Sequence, residues 1–278
     1  MTKWLITGIS RGLGQALAEA ALARGDVVVG TTRNGKSAIA ASRGTLHVLP
    51  LEVGDAPTIE STVAKAFELA GDLDVIVNNA AYGLLGAIEN ASDAEMARLF
   101  EVNVFGTFRV VRAALPKLRA QGRGHIINIT SIAGRAPMAG SGLYAATKSA
   151  VEGLSESLAK EVGPLGIKVT AVAPGAFRTD FLSSHSIRKS TPASDAYADS
   201  VGQTMSRLDA MAGNQSGDPA RAAQALLAVV DVKQPPLHVL LGSDALHRAR
   251  ENLDTLIEEM DRWEEVTRGT DFPTQPEK

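Results

Sequence analysis

Seven short apolar runs punctuate the chain, at residues 3–7 (KWLIT), 26–32 (DVVVGTT), 45–51 (TLHVLPL), 73–78 (LDVIVN), 124–130 (GHIINIT), 167–174 (IKVTAVAP) and 236–242 (PLHVLLG). They are rich in β-branched residues and lack a clean apolar–polar alternation, the pattern of strands buried on both faces. Between them, apolar residues recur at helical spacing over 12–25, 58–70, 92–120 and 142–163. Strands that alternate with helices predict an α/β fold: a doubly wound parallel sheet of seven strands with helices on both faces. No linker, repeat or charge block divides the chain, so a single domain over 1–268 is expected, followed by a flexible Pro-rich, polar tail over 269–278. The last helix, about 243–268, carries Leu246, Leu253, Leu256, Ile257, Met260 and Trp263 along one side. That stripe suits packing on the domain or on a sister subunit, as in a homodimer or homotetramer.

Composition narrows the functional classes. The 278 residues are 45% hydrophobic and 21% charged, with a net charge of −3, so there is no single-sign field to recruit nucleic acid or an anionic membrane. Cysteine is absent, which removes disulfides, thiolate metal sites and cysteine nucleophiles and suits a reducing cytoplasm. The start of the chain lacks a long apolar segment and no later run reaches membrane-spanning length, so a soluble, unexported, cytoplasmic protein is expected. The five histidines at 47, 125, 185, 238 and 247 have no zinc-like spacing, and no catalytic metal is expected.

The first strand runs into "TGISRGLG", with glycines at 8, 12 and 14 opening a helix. Glycines there allow a tight turn and a close approach to a pyrophosphate, whose charge the free N–H groups at a helix start favour. The alternative is a glycine-rich turn needed only for packing. From Val27 to Leu51 there is no Asp or Glu, and Arg33 stands near the end of the second strand where a ribose 2′-phosphate would lie, with Arg11 in the glycine loop. Two converging arginines point to NADP(H) rather than NAD(H), because the planar guanidinium forks suit a phosphate. Two solvated surface arginines are the bland alternative. Asn78 and Asn79 end the fourth strand, Asn103 sits in an apolar part of the 92–120 helix, and Ser131 follows the fifth strand. Each has an ordinary reading as well, as turn chemistry, structural glue or a cap. Tyr144 and Lys148, at i,i+4, share one helix face, so a phenol stands near an ammonium.

Together these residues resemble the single-domain branch of the short-chain dehydrogenase/reductase family, over about residues 3–245, with features similar to a hydroxysteroid- or retinol-dehydrogenase-like subgroup. "TGISRGLG" is similar to its cofactor loop, "NNAA" (78–81) to its strand-four motif, Asn103–Ser131–Tyr144–Lys148 to its catalytic tetrad, and "PGAFRT" (174–179) to its nicotinamide-side loop. The resemblance implies a Rossmann fold with NADP(H) held by Gly8, Ser10, Arg11, Gly12, Leu13 and Gly14, by Arg33, by Glu52 and Val53, and by Asn79, Ala80 and Ala81. Tyr144, Lys148, Pro174, Gly175, Phe177 and Thr179 complete that set. Two departures are visible: Ala81 stands where glycine is usual, and Glu52 where aspartate is usual. By resemblance, Tyr144 is the proton donor, its pKa lowered by Lys148 and by oxidised nicotinamide together, and Lys148 also holds the nicotinamide ribose. Ser131 orients a carbonyl, and Asn103 anchors a water leading from Lys148 to solvent. The substrate is then a small-molecule carbonyl or alcohol, of mid size and hydrophobic, under a lid over about 180–217. Ala133, Met138, Phe181 and Tyr197 are the candidate substrate contacts. A non-catalytic NADPH sensor or scaffold and a nucleotide-sugar epimerase are the rival readings; the intact Ser–Tyr–Lys set disfavours the first, and the glycine spacing and compact length the second.

Overall fold

The protein is described as a computed structural model over residues 1–190 and 195–272. Residues 191–194 of the expected lid and 273–278 of the expected tail lie outside the described residues. In chain order the first half contains β1 (Lys3–Thr7), α1 (Gly12–Arg24), β2 (Val27–Thr32), β3 (Thr45–Pro50), α2 (Ala56–Ala70), β4 (Val75–Asn78), β5 (Gly83–Leu85), α3 (Asp93–Phe100) and α4 (Gly106–Gln121). The second half contains β6 (Gly124–Ile129), α5 (Gly142–Val162), β7 (Ile167–Pro174), β8 (Ile187–Lys189), α6 (Gln203–Met211), α7 (Pro219–Asp231), β9 (His238–Leu241), α8 (Ser243–Arg262) and α9 (Glu264–Arg268).

All seven predicted strands pair in one parallel sheet, in the order β3-β2-β1-β4-β6-β7-β9. The order reverses between β1 and β4, so the chain leaves a crevice beyond their carboxyl ends, where sheets of this kind take ligands. Successive strand residues feed opposite layers. Leu5, Val29 and Ile126 pack with Val63, Val111 and Leu158 of α2, α4 and α5, while Trp4, Val28 and Ile127 pack with Leu17, Leu22 and Leu226 of α1 and α7. Burial on both faces explains why these strands read as unbroken apolar runs.

Two features depart from the sequence reading, and a third bears on a point it left open. β5 and β8 form a separate parallel pair, Gly83 opposite Ile187; three residues each are too few to show a period. The 92–120 segment is not one regular helix: Ser92 opens α3 with a capping box to Glu95, and residues 101–105 form a wider π-type turn before α4. Such turns concentrate at functional sites, and Asn103 lies in this one. Finally, α8 docks on the domain only by its first turns, through Ala245 and Ala249 against Ile132 and Ala136. Leu253, Leu256, Ile257, Met260 and Trp263 remain exposed. No helix among the described residues is long and apolar enough to cross a membrane.

The crevice depends on a tight fit between the β1–α1 loop and β4. Asn79 Nδ2 donates to the carbonyls of Thr7 and Gly8 at 2.9 and 3.0 Å, and the Ala80 N–H donates to Thr7 Oγ1 at 3.1 Å. A Cβ on Gly14 would lie 2.4 Å from both Asn79 Nδ2 and the Gly8 carbonyl oxygen. Gly14→Ala is therefore expected to cost about 1–3 kcal/mol of stability, the usual size of an overpacking penalty, in a denaturant titration. A wild-type midpoint would show that the loop yields without cost.

Candidate active site

The crevice opens into a cleft of about 700 Å³. Gly8, Ser10, Arg11, Gly12 and Leu13 line it from the first loop, Arg33, Glu52 and Val53 from beyond β2 and β3, and Asn79, Ala80 and Ala81 from beyond β4. Ser131, Tyr144 and Lys148 line it together with Pro174, Gly175, Phe177 and Thr179. Residues 130 or more positions apart in sequence thus meet in one cavity because each follows the carboxyl end of a strand of the same sheet.

The nucleotide half fits an anionic dinucleotide. Gly8 and Gly12 have φ values of +75° and +63°, which glycine adopts without cost. The start of α1 carries no side-chain cap and no acidic residue in its first turn, leaving N–H groups and the positive end of the helix dipole for phosphate. Arg33 is exposed at the end of β2 and bonds no described residue. Arg11 lines the same cleft as Arg33, and its Nε donates to Ser186 Oγ and its Nη2 to the His185 carbonyl, both at 2.9 Å. It thereby ties the glycine loop to the segment before β8. Glu52 is paired with Arg98 at 3.2 Å. Among the described residues no non-glycine has a positive φ, so Ala81 is accommodated without a left-handed backbone.

In the other half, Ser131 is extended and accepts the Ala133 N–H at 3.1 Å, while its side chain hydrogen-bonds to Tyr144. One turn along α5, Lys148 Nζ donates to the Ile129 carbonyl at 2.9 Å and lies 5.8 Å from the centre of the Tyr144 ring. Both side chains are buried. Burial pushes the Tyr144 phenol up to about 12, against the hydrogen bond from Ser131. Burial also drives Lys148 down to about 8, against the pull of Glu152. In the ligand-free protein desolvation of the phenolate sets the direction of the shift; the expected lowering by lysine and oxidised nicotinamide together belongs to the cofactor-bound state.

Asn103 also differs from its expected place. Its amide donates to the Tyr82 carbonyl (2.8 Å) and Thr147 Oγ1 (3.2 Å) and accepts the Tyr82 N–H (3.1 Å), and it does not line the cleft. It braces the wide turn against α5, and its link to Tyr144 runs through the Thr147 hydroxyl, which donates to the Tyr144 carbonyl at 2.7 Å. Ala133, Met138 and Phe181 do line the cleft, and the Phe181 ring is 6.0 Å from that of Tyr144. Tyr197 does not: it lies outside, hydrogen-bonded to Glu89, which holds its phenol above the ordinary range. Leu182, Leu208 and Met211, which belong to the expected lid, do line the cleft. Sequence reading missed Gln215 and Asp244, which also line the cleft; the Gln215 amide and Asp244 Oδ1 are buried without a hydrogen-bond partner. Nothing in their local sequence signals this, since each reaches the site through a long-range crossing beside Gly175–Phe177.

Residues 3–190 match the family described as short chain dehydrogenase. The chain belongs to that family. A short-chain dehydrogenase from Streptomyces avermitilis has the same fold, with a TM-score of 0.90 and 42% identity over 98% of this chain and 100% of its own. A 3-ketodihydrosphingosine reductase of Bacteroides thetaiotaomicron is 35% identical over 238 residues, 86% of this chain and 87% of that protein. A metagenomic short-chain oxidoreductase solved with NADP is 26% identical, with a TM-score of 0.68, over 86% of this chain and 96% of its own. As a short-chain dehydrogenase this protein is an oxidoreductase.

The buried lysine has a measurable consequence. Its pKa is lower in the folded chain than the ordinary value of about 10.4, so folding favours loss of its proton. Wild-type stability must therefore rise between about pH 8 and 10.5 from this group, and be penalised below about pH 8 by about 1–3 kcal/mol. Lys148→Met removes that penalty. Its Tm relative to wild type is expected to be higher at pH 7 than at pH 10; an equal difference at both would show that Lys148 is not depressed.

Proposed function

We propose that the protein is an NADP(H)-dependent carbonyl reductase that interconverts a mid-sized hydrophobic ketone or aldehyde and its alcohol. The observation that carries this is the buried Tyr144, a neutral acid at physiological pH, hydrogen-bonded to Ser131 and backed by Lys148, with Met138 and Phe181 lining the same cleft. Arg33 and the relative solved with NADP support NADP(H) over NAD(H).

In this reading Arg33 takes the 2′-phosphate, the first turn of α1 takes the pyrophosphate, and Glu52 and Val53 flank the adenine. Lys148 holds the nicotinamide ribose, and residues 174–179 flank the nicotinamide. Bound NADPH supplies the hydride for the carbonyl carbon. Tyr144 donates its proton to the carbonyl oxygen, and the Ser131 hydroxyl donates a second hydrogen bond to that oxygen as negative charge develops there. The Lys148 ammonium then stabilises the phenolate until a proton from solvent restores it. Oxidation of the alcohol runs the same transfers backward, with Tyr144 as base.

Phe181, Met138, Leu182, Leu208 and Met211 give the substrate side an apolar lining, which supports a lipophilic carbonyl compound and a lid built from residues 180–217. Absence of cysteine suits a cytoplasmic location, and the uncovered stripe of α8 suits a dimer or tetramer.

The test is consumption of NADPH, with NADH in parallel, over lipophilic ketones, aldehydes, diketones and steroid carbonyls. Turnover is expected with NADPH preferred, and Tyr144→Phe is expected to lower kcat by about 10²–10⁴-fold, the range for loss of a general acid, while NADPH binding persists. A Tyr144→Phe enzyme with the wild-type rate would remove Tyr144 from the chemistry.

A further inference from the structure

Three consecutive residues leaving β6 are each held by a different turn of α5. Lys148 donates to the Ile129 carbonyl, Thr130 Oγ1 donates to Glu152 Oε1, and Ser131 bonds Tyr144. Tyr144, Lys148 and Glu152 are spaced i, i+4, i+8 and so share one face of the helix. Two of them belong to the reacting set proposed above. Glu152 does not touch the cleft, and that mechanism gives it no role.

Glu152 is nevertheless an expensive residue to bury. It is 6% exposed, and a buried carboxylate persists only when paired and hydrogen-bonded. Its partner is Arg135, which follows Ser131 in the same turn: Arg135 Nε donates to Oε1 at 3.1 Å and Nη2 to Oε2 at 2.9 Å. Such a two-point guanidinium–carboxylate pair is directional as well as strong. From β9, His238 places Nδ1 3.4 Å from Glu152 Oε2 and Nε2 3.6 Å from Glu156 Oε1, and its Nδ1 is 3.1 Å from Arg135 Nη2. Glu152, Glu156 and His238 would serve as metal ligands by spacing, but the Arg135 guanidinium already fills that place. The groups facing Glu152 are therefore Lys148 and Glu156 on α5, Thr130 and Arg135 after β6, and His238 on β9.

We propose that Glu152 is a positioning residue for the reaction, acting through Lys148 and Thr130: its charge, balanced by Arg135, keeps the buried Lys148 protonated and its hydrogen bond fixes the segment that carries Ser131. The inference rests on the reading of Ser131, Tyr144 and Lys148 as the reacting set. The balance has a sign. Neutralising Glu152 leaves Arg135 as an uncompensated cation behind Lys148, so the ammonium is disfavoured. Neutralising Arg135 leaves Glu152 free to attract Lys148, so the ammonium is favoured. A purely structural ion pair has no such sign, because either substitution merely breaks the same contact.

The test titrates Lys148 directly in the ligand-free protein. Lysine is labelled with carbon-13 at Cε, and among the ten lysines the Lys148 resonance is the one lost in Lys148→Met. Glu152→Gln is expected to lower the Lys148 midpoint by about one pH unit, a tenfold loss of proton affinity, and Arg135→Gln to raise it by a similar amount. In turnover assays the alkaline limit of kcat should move in the same two directions. Unchanged midpoints, or shifts of the same sign in both variants, would overturn the proposal. If Glu152→Gln does not fold, the upward shift in Arg135→Gln decides alone. Because the titration needs no substrate, its failure is distinct from failure of the carbonyl-reductase reading, which would show as an intact Lys148 response in a protein without turnover.

Discussion

The hydrogen bond from the buried Lys148 ammonium to the Ile129 carbonyl is the constraint on which the site depends. An unpaired cation at that depth is not tolerated, so the end of β6 must stay against α5 for the lysine to remain charged. That requirement brings Ser131 to Tyr144 as well, since the three residues from 129 to 131 are consecutive. Burial then acts on the acid and on the lysine in opposite directions, pushing the phenol up to about 12 and the ammonium down to about 8. The result is a phenol that keeps its proton and a lysine close to its own titration.

The rest of the fold can be read as the means of holding that arrangement open on one side. The parallel sheet supplies strand ends that share one edge, and its reversal between β1 and β4 leaves the crevice. Asn79 clamps the glycine loop on that crevice through two carbonyls, and Asn103 clamps the wide turn on α5 through Tyr82 and Thr147. In both cases a buried amide satisfies backbone groups that the irregular chain would otherwise leave unpaired. The β5–β8 pair and the Arg11 bonds to His185 and Ser186 then draw the cover across the mouth.

What was legible in the sequence is what depends on local pattern. The seven strands of the sheet show as β-branched runs because both their faces are buried, and Tyr144 and Lys148 show because i,i+4 spacing fixes a shared face. The glycine loop and Asn78–Asn79 were visible at their strand ends, and the family resemblance joined them as a set. What escaped depends on distance. Arg11 finds Ser186, 175 residues away, and no spacing in the glycine loop indicates it. β5 and β8 are too short to show a period, and Tyr197 looks like a pocket aromatic until its bond to Glu89 places it outside. The direction of the Tyr144 shift in the ligand-free protein was not legible for a related reason: adjacency to a lysine is visible in sequence, whereas the depth of burial that raises the phenol is not.

The central claim is that burial keeps Tyr144 protonated in the ligand-free protein. It is tested most directly by the near-ultraviolet absorbance of the phenolate, followed with pH as the difference between wild type and Tyr144→Phe. With three tyrosines in the chain, the difference isolates one ring. The account predicts no Tyr144 phenolate up to the ordinary tyrosine value of about pH 10. A phenolate appearing between about pH 7 and 9 would contradict it, and would show that the Lys148 charge, not desolvation, governs the acid.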